Sequence, residues 1–202
     1  MPRQTMDELR AEMVDAAAAL IARQGIANTS VQQIADAVGY SKQALLHHFS
    51  SKAVLHEAVI EAALAEISSL TAAIGRAPAG IERDRVAVGL SIDLTYRWPG
   101  LASYCVVLAE REHEMDPRLS AAAASLSAAW GITRGTSETR VIQVITASSG
   151  LTSAAIAAVR ADRRREWRDV IARVALNALG HTDGTAGEFI GPADKWSPVN
   201  RA

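Results

Sequence analysis

The tightest constraint on this chain lies between residues 29 and 55, where three helix starts follow one another in quick succession. Ser30 precedes Val31, Ile34, Ala35 and Val38, which recur at i, i+3, i+4 and i+7. Only a helical period puts those four on one face. A serine just before such a run can accept a hydrogen bond from the first-turn amides. Gly39 closes this short helix, and Ser41 opens another over residues 42–49. There Leu45 and Phe49 lie four apart and point inward together. Gly39, Tyr40 and Ser41 thus form a tight turn between two short amphipathic helices, which is a helix-turn-helix arrangement. Ser51 then caps a long helix predicted over residues 52–74.

The same period runs through the rest of the chain. Leu9, Met13, Ala17, Leu20 and Ile21 predict a first helix over residues 7–24. Pro78, with Gly75 and Gly80 nearby, marks a loop at 76–80. Further helices are predicted over 82–98 and 99–115, with Pro99 in a first turn. Asp116 and Pro117 make a capped restart. After a break at 131–135, Ser137 caps a helix to about residue 161, and a last helix runs over 163–179. Alanine runs and scarce aromatics agree with an all-α fold. The expected domains are 1–50, a three-helix DNA-binding unit, and 51–180, a larger helical unit. An irregular tail is expected over 181–202, which is rich in glycine, proline and polar residues.

Composition removes several function classes. The net charge is −1, and Arg3, Arg10, Arg23, Lys42 and Lys52 are offset by nearby acids such as Asp7, Glu8, Glu12 and Asp36. Nucleic-acid contact must therefore come from local placement of cations, amides and helix ends. The single cysteine, Cys105, admits no internal disulfide, and a cytoplasmic setting is expected. Residues 1–10 lack the apolar run of a signal peptide. Residues 141–159 are uncharged, yet Gln143, Thr146, Ser148, Ser149, Thr152 and Ser153 interrupt them, so an interface helix is expected and no membrane partner. Glu110, His113 and Glu114 share a helical face, but no second histidine stands at ligand spacing, and a solvated charged face is the expectation. There is no phosphate loop, no nucleophile elbow and no cysteine–histidine pairing close in sequence. No enzyme activity, metal or cofactor is expected. The competing class is a helical enzyme or protein-binding adaptor that carries a helix-turn-helix.

In a helix-turn-helix the second helix enters the major groove and its first residues meet base edges. Here those are Ser41, Lys42, Gln43 and Ala44. Glutamine can pair with adenine, lysine can donate to guanine, and an alanine methyl can meet a thymine methyl. Ser30, Ser41 and Ser51 mark helix starts, whose amides attract phosphates, and Lys52 adds a cation beside the third. His47 is placed as a phosphate neighbour. Tyr40 either packs on the turn or reaches a phosphate, and His48 either supports the turn or does the same.

This segment resembles the N-terminal signature of the TetR family of bacterial regulators. The shared features are the pair Ile34-Ala35, the turn glycine Gly39, the helix ending His48-Phe49, and Ser51-Lys52. The close resemblance covers about the first quarter of the chain. Two positions depart from the pattern. Gln43 stands where relatives often have glycine, offering a side chain for base readout, and Leu46 stands where tyrosine is common, turning an apolar group toward the groove. The resemblance implies a DNA-binding regulator, a repressor on a palindromic double-stranded operator, that dimerises through its last two long helices. Val144, Ser148, Leu151, Ala155, Trp167, Ile171 and Val174 are the expected homodimer contacts. It also implies a small-molecule effector, largely apolar, held in the larger domain, and Tyr96, Trp98, Tyr104, Cys105, His113 and Trp130 are the candidate contacts.

Overall fold

The computed structural model describes residues 5–110 and 116–181. All regular structure among them is helical: α1 (Met6–Gln24), α2 (Val31–Val38), α3 (Lys42–His48), α4 (Lys52–Gly75), α5 (Ile81–Arg97), α6 (Pro99–Glu110), α7 (Pro117–Ala129), α8 (Glu138–Arg160) and α9 (Arg164–Ala178). The helix starts follow the predicted cap chemistry. Ser30, Ser41, Ser51 and Ser137 each accept from an amide of their own first turn, and Asp116 does so ahead of Pro117. Thr5, with Glu8, forms a capping box on α1. Gly39 ends α2 in the left-handed conformation, φ 74° and ψ 26°, which a side chain would strain.

Two apolar cores are built along α4. The first joins Met13, Ala17, Ile34, Leu45 and Phe49 of the N-terminal helices to Leu55, Val59 and Ala63 of α4. It also takes in Leu101 and Tyr104 of α6 and Leu119 of α7. The second joins Leu70 and Ile74 at the far end of α4 to Val88 and Ile92 of α5, Leu151 and Ala155 of α8, and Ile171 and Ala175 of α9. Helices α4 and α8 are each long and apolar enough to cross a membrane. In the fold Leu55, Val59 and Ile74 of α4 and Val144, Leu151 and Ala155 of α8 pack into these cores. The C-terminal tail falls outside the described residues after His181.

A buried carboxylate and its partners fix the distal core. The Asp84 carboxylate, almost fully buried, accepts from Arg140 Nη1 at 2.9 Å and Nη2 at 2.6 Å. His181 Nε2 lies 2.8 Å from the same carboxylate, and Arg140 also donates to the Trp130 carbonyl. A bidentate guanidinium has the geometry to compensate a carboxylate removed from water. This knot ties α5, α8 and the end of α9 together.

Candidate nucleic-acid interface

Helix α3 is held from beneath and open above. Leu45 and Phe49 are completely buried and anchor its inner face. Ser41, Lys42, Gln43 and His47 are exposed on the outside, while Ala44 and Leu46 are half-buried. Ser41 Oγ accepts from Ala44 N at 3.1 Å. A hydroxyl that accepts still has a proton to donate, so the cap does not prevent a phosphate contact. Ser30 is exposed at the start of α2, where its backbone and hydroxyl form a reciprocal box with Gln33. Tyr40 packs against the first core, on the turn.

Three residues missed in the sequence complete the frame of α3. Arg10 of α1 donates from Nη1 to the His48 carbonyl at 3.2 Å, and its guanidinium carbon lies 4.3 Å from the Phe49 ring centroid. A cation is favourable both at a helix C-terminus and over an aromatic face. Asp15, also on α1, accepts from the amides of Gly100 at 3.1 Å and Leu101 at 2.9 Å. Burial pushes the Asp15 carboxyl above its ordinary range, against the opposing pull of these amides. Gly100 completes the joint: a Cβ there would lie 2.0 Å from the Asp15 carbonyl oxygen. The first turn of α6 is thereby keyed to the middle of α1. Sequence periodicity offered no signal for this contact, because it links residues far apart in the chain.

Lys52, expected beside phosphate, also has partners within the chain: its Nζ donates to the Ile26 carbonyl at 2.9 Å and reaches the Ala27 carbonyl at 3.5 Å. The ammonium braces the loop after α1, where the carbonyls have lost helical partners. Lys52→Met should therefore cost about 1–3 kcal/mol of stability. The slope of DNA affinity against salt should hardly change. Thermal melting and a salt titration of duplex binding separate this from a phosphate role, which would lower the slope by about one.

The expected effector contacts do not form one cluster. Trp98, Tyr104 and Cys105 pack with the first core, whereas Tyr96 and Trp130 belong to the second. Tyr96 donates to the Arg164 carbonyl at 3.0 Å, and Trp98 Nε1 donates to Glu66 at 3.0 Å. Tyr104 Oη lies 3.1 Å from His56 Nε2 across α4 and α6. Burial pushes the Tyr104 hydroxyl up to about 12 and the Cys105 thiol up to about 11, and holds His56 below the ordinary imidazole value. His113 and the rest of the acidic stretch at 111–115 lie outside the described residues. Among the described residues, no three His, Cys, Asp or Glu side chains come together as a metal site.

The expected dimer contacts also divide. Val144, Leu151, Ala155 and Ile171 are buried in the chain's own second core. Trp167 and Val174 are exposed, and Ser148 is half-buried. Beside them Ile142, Ile145 and Val170 are exposed by 63%, 56% and 47%. The sequence pattern placed the apolar residues of α8 on one broad face, and the same pattern fits a partner contact or the chain's own core.

Residues 13–59 match the model of the bacterial regulatory proteins, tetR family. No curated protein matches the chain. Several solved structures share its fold. The ketosteroid transcriptional regulator KstR2 of Mycobacterium tuberculosis is 19% identical, with a TM-score of 0.54, covering 87% of this chain and 95% of its own. AmtR of Mycobacterium smegmatis is 24% identical, with a TM-score of 0.50, covering 94% and 91%. The TetR family transcriptional regulator PfmR of Thermus thermophilus is 20% identical, with a TM-score of 0.50, covering 88% and 97%. These likenesses carry the fold, and the resemblance to the tetR family of bacterial regulatory proteins is carried by residues 13–59, which hold the helix-turn-helix.

Proposed function

We propose that the protein is a cytoplasmic repressor that binds a palindromic operator as a homodimer and leaves it when a small, largely apolar effector binds. The observation that carries the reading is the exposed outer face of α3, with Lys42, Gln43 and His47 presented on a helix anchored by Leu45 and Phe49. Base readout rests on Ser41, Lys42, Gln43 and Ala44. Ser30, Tyr40 and His47 are placed for phosphate, and Leu46 for apolar contact at the groove.

The exposed apolar stripe of Ile142, Ile145, Trp167, Val170 and Val174 supports pairing through α8 and α9. An apolar patch of this kind marks an interaction surface. Pairing would set two α3 helices against half-sites about 34–36 Å apart. The His56–Tyr104 pair, polar within an apolar setting, supports an effector site between α4 and α6. The Asp15–Gly100 joint would carry a shift of α6 into α1 and so to the DNA-binding helices. To release DNA, the effector must prefer the conformation that does not fit the operator.

Selection of bound fragments from a genomic library tests the DNA role. On the selected duplex, Gln43→Ala should lose about 1–3 kcal/mol and relax preference at one base position, read by fluorescence anisotropy on single-base variants. Unchanged affinity and unchanged discrimination would remove Gln43 from the readout. Turnover of a metabolite, with no duplex selected, would favour the enzyme reading.

A further inference from the structure

An open groove of about 580 Å³ runs between α1 and α4 where the DNA-binding helices meet the rest of the fold. Its volume lies in the range of small-molecule sites, and the junction of two structural units is a preferred place for them. The floor is apolar, made by Ala11 and Val14 of α1, Ala58 and Ala62 of α4, and the Trp98 side chain. Val54 at its edge is 44% exposed, with apolar surface left in water. The Trp98 ring is held by its bond to Glu66, so this wall is already in place.

The rim is acidic. Asp7, Glu57 and Glu61 line the groove together with the cation Arg10. Arg118 bonds both Glu57 and Glu61, at 2.8 and 2.9 Å, and it also binds Asp116. Among the lining residues, Asp7, Glu57 and Glu61 thus stand against Arg10, with Arg118 bonded to two of the three carboxylates. Arg118 holds the Glu57 and Asp116 carboxyls below the ordinary carboxylate range. Arg10 itself is turned to the His48 carbonyl and the Phe49 ring.

We infer that this groove binds a small organic cation, with its apolar body on the Trp98 and alanine floor and its ammonium at the rim formed by Asp7 and Glu61, and that occupancy is felt at the end of α3 through Arg10. The complementarity is specific in sign. An apolar floor admits an aromatic or alkyl body of either charge, but the rim repels an anion and attracts a cation. A cation seated there approaches Arg10 with like charge and weakens its hold on the end of α3. The site shares Trp98 with the candidate effector contacts, but neither His56 nor Tyr104 lines it. It rests on the DNA-binding reading only for its consequence, and both measurements below are made without DNA.

The probe is 1-naphthylmethylammonium, with 1-naphthalenemethanol as its neutral counterpart, titrated into the full chain by calorimetry. The ammonium should bind roughly tenfold more tightly than the alcohol at low salt, and the margin should shrink at high salt as rim charges are screened. Glu61→Gln should narrow it severalfold, and Ala62→Trp should abolish binding by filling the floor. In amide NMR spectra the probe should move the signals of His48 and Phe49 in the wild type but not in Arg10→Gln. Equal affinity for ammonium and alcohol, or undiminished binding by folded Ala62→Trp, overturns the site. Binding that leaves the His48 and Phe49 signals in place overturns the link to α3.

Discussion

Gly100→Ala should loosen the DNA-binding helices from the rest of the chain, at a cost of about 3 kcal/mol or more. The added methyl would sit 2.0 Å from the Asp15 carbonyl oxygen and 2.9 Å from its carbonyl carbon. Those are backbone atoms in the middle of α1, so no side-chain rotation relieves the clash. Either α1 or α6 must move, and movement breaks the two amide bonds to Asp15. The expected result is a melting temperature several degrees lower and a marked loss of affinity for the selected duplex. Asp15→Asn is the informative companion. It keeps one carbonyl oxygen as acceptor and adds no bulk, so it should cost less, about 1–2 kcal/mol. A Gly100→Ala protein that melts and binds DNA like the wild type would show that α1 and α6 are not closely joined.

The second large effect concerns association. Val174→Asp should leave the chain folded and split the proposed dimer, because Val174 is 60% exposed in the single chain. Burying an unpaired carboxylate at a two-fold contact costs about 3–5 kcal/mol, and the symmetry repeats it on the other side. Dimer affinity should fall by a factor on the order of a thousand or more. Operator affinity should fall with it. Leu151→Asp is the contrasting variant. Leu151 is 2% exposed inside the second core, so the same charge there should unfold the chain. Sedimentation velocity with circular dichroism distinguishes the outcomes. Dimers that persist in Val174→Asp at micromolar concentration would move the interface to another face.

Much of this architecture was legible in local chemistry. The serine caps, the turn at Gly39 and the apolar repeat of α2 act within a few residues, so the chain order carries them openly. The inward pair Leu45 and Phe49 could be identified for the same reason. What the sequence concealed was pairing at long range. Lys52 read as a free cation until its partners at Ile26 and Ala27 were visible, twenty-five and more residues away. Arg10 and Asp15 sit on a helix whose pattern announces only its inner face, and their targets lie on α3 and α6. In α8 and α9 the pattern failed differently. An apolar face at helical spacing fits a partner or the chain's own core equally, so Val144 and Ile171 read like Trp167 and Val174. The aromatic residues of α5 to α7 suggested a shared cavity because they are near in sequence, but two separate cores had claimed them.

The first core has a consequence for anyone building chimeras. A recognition unit exchanged as a cassette ending at residue 50 would be cut through its own interior. Phe49 and Met13 share that interior with Leu101, Tyr104 and Leu119, which such a cassette leaves behind. Grafted onto another regulator's body, the three helices would meet a foreign floor and leave unfilled space beneath them. A graft that respects the packing would instead transplant the outward-facing residues of α3 onto an intact host. Operator choice would then pass between relatives as a change of surface, with the interior kept as inherited.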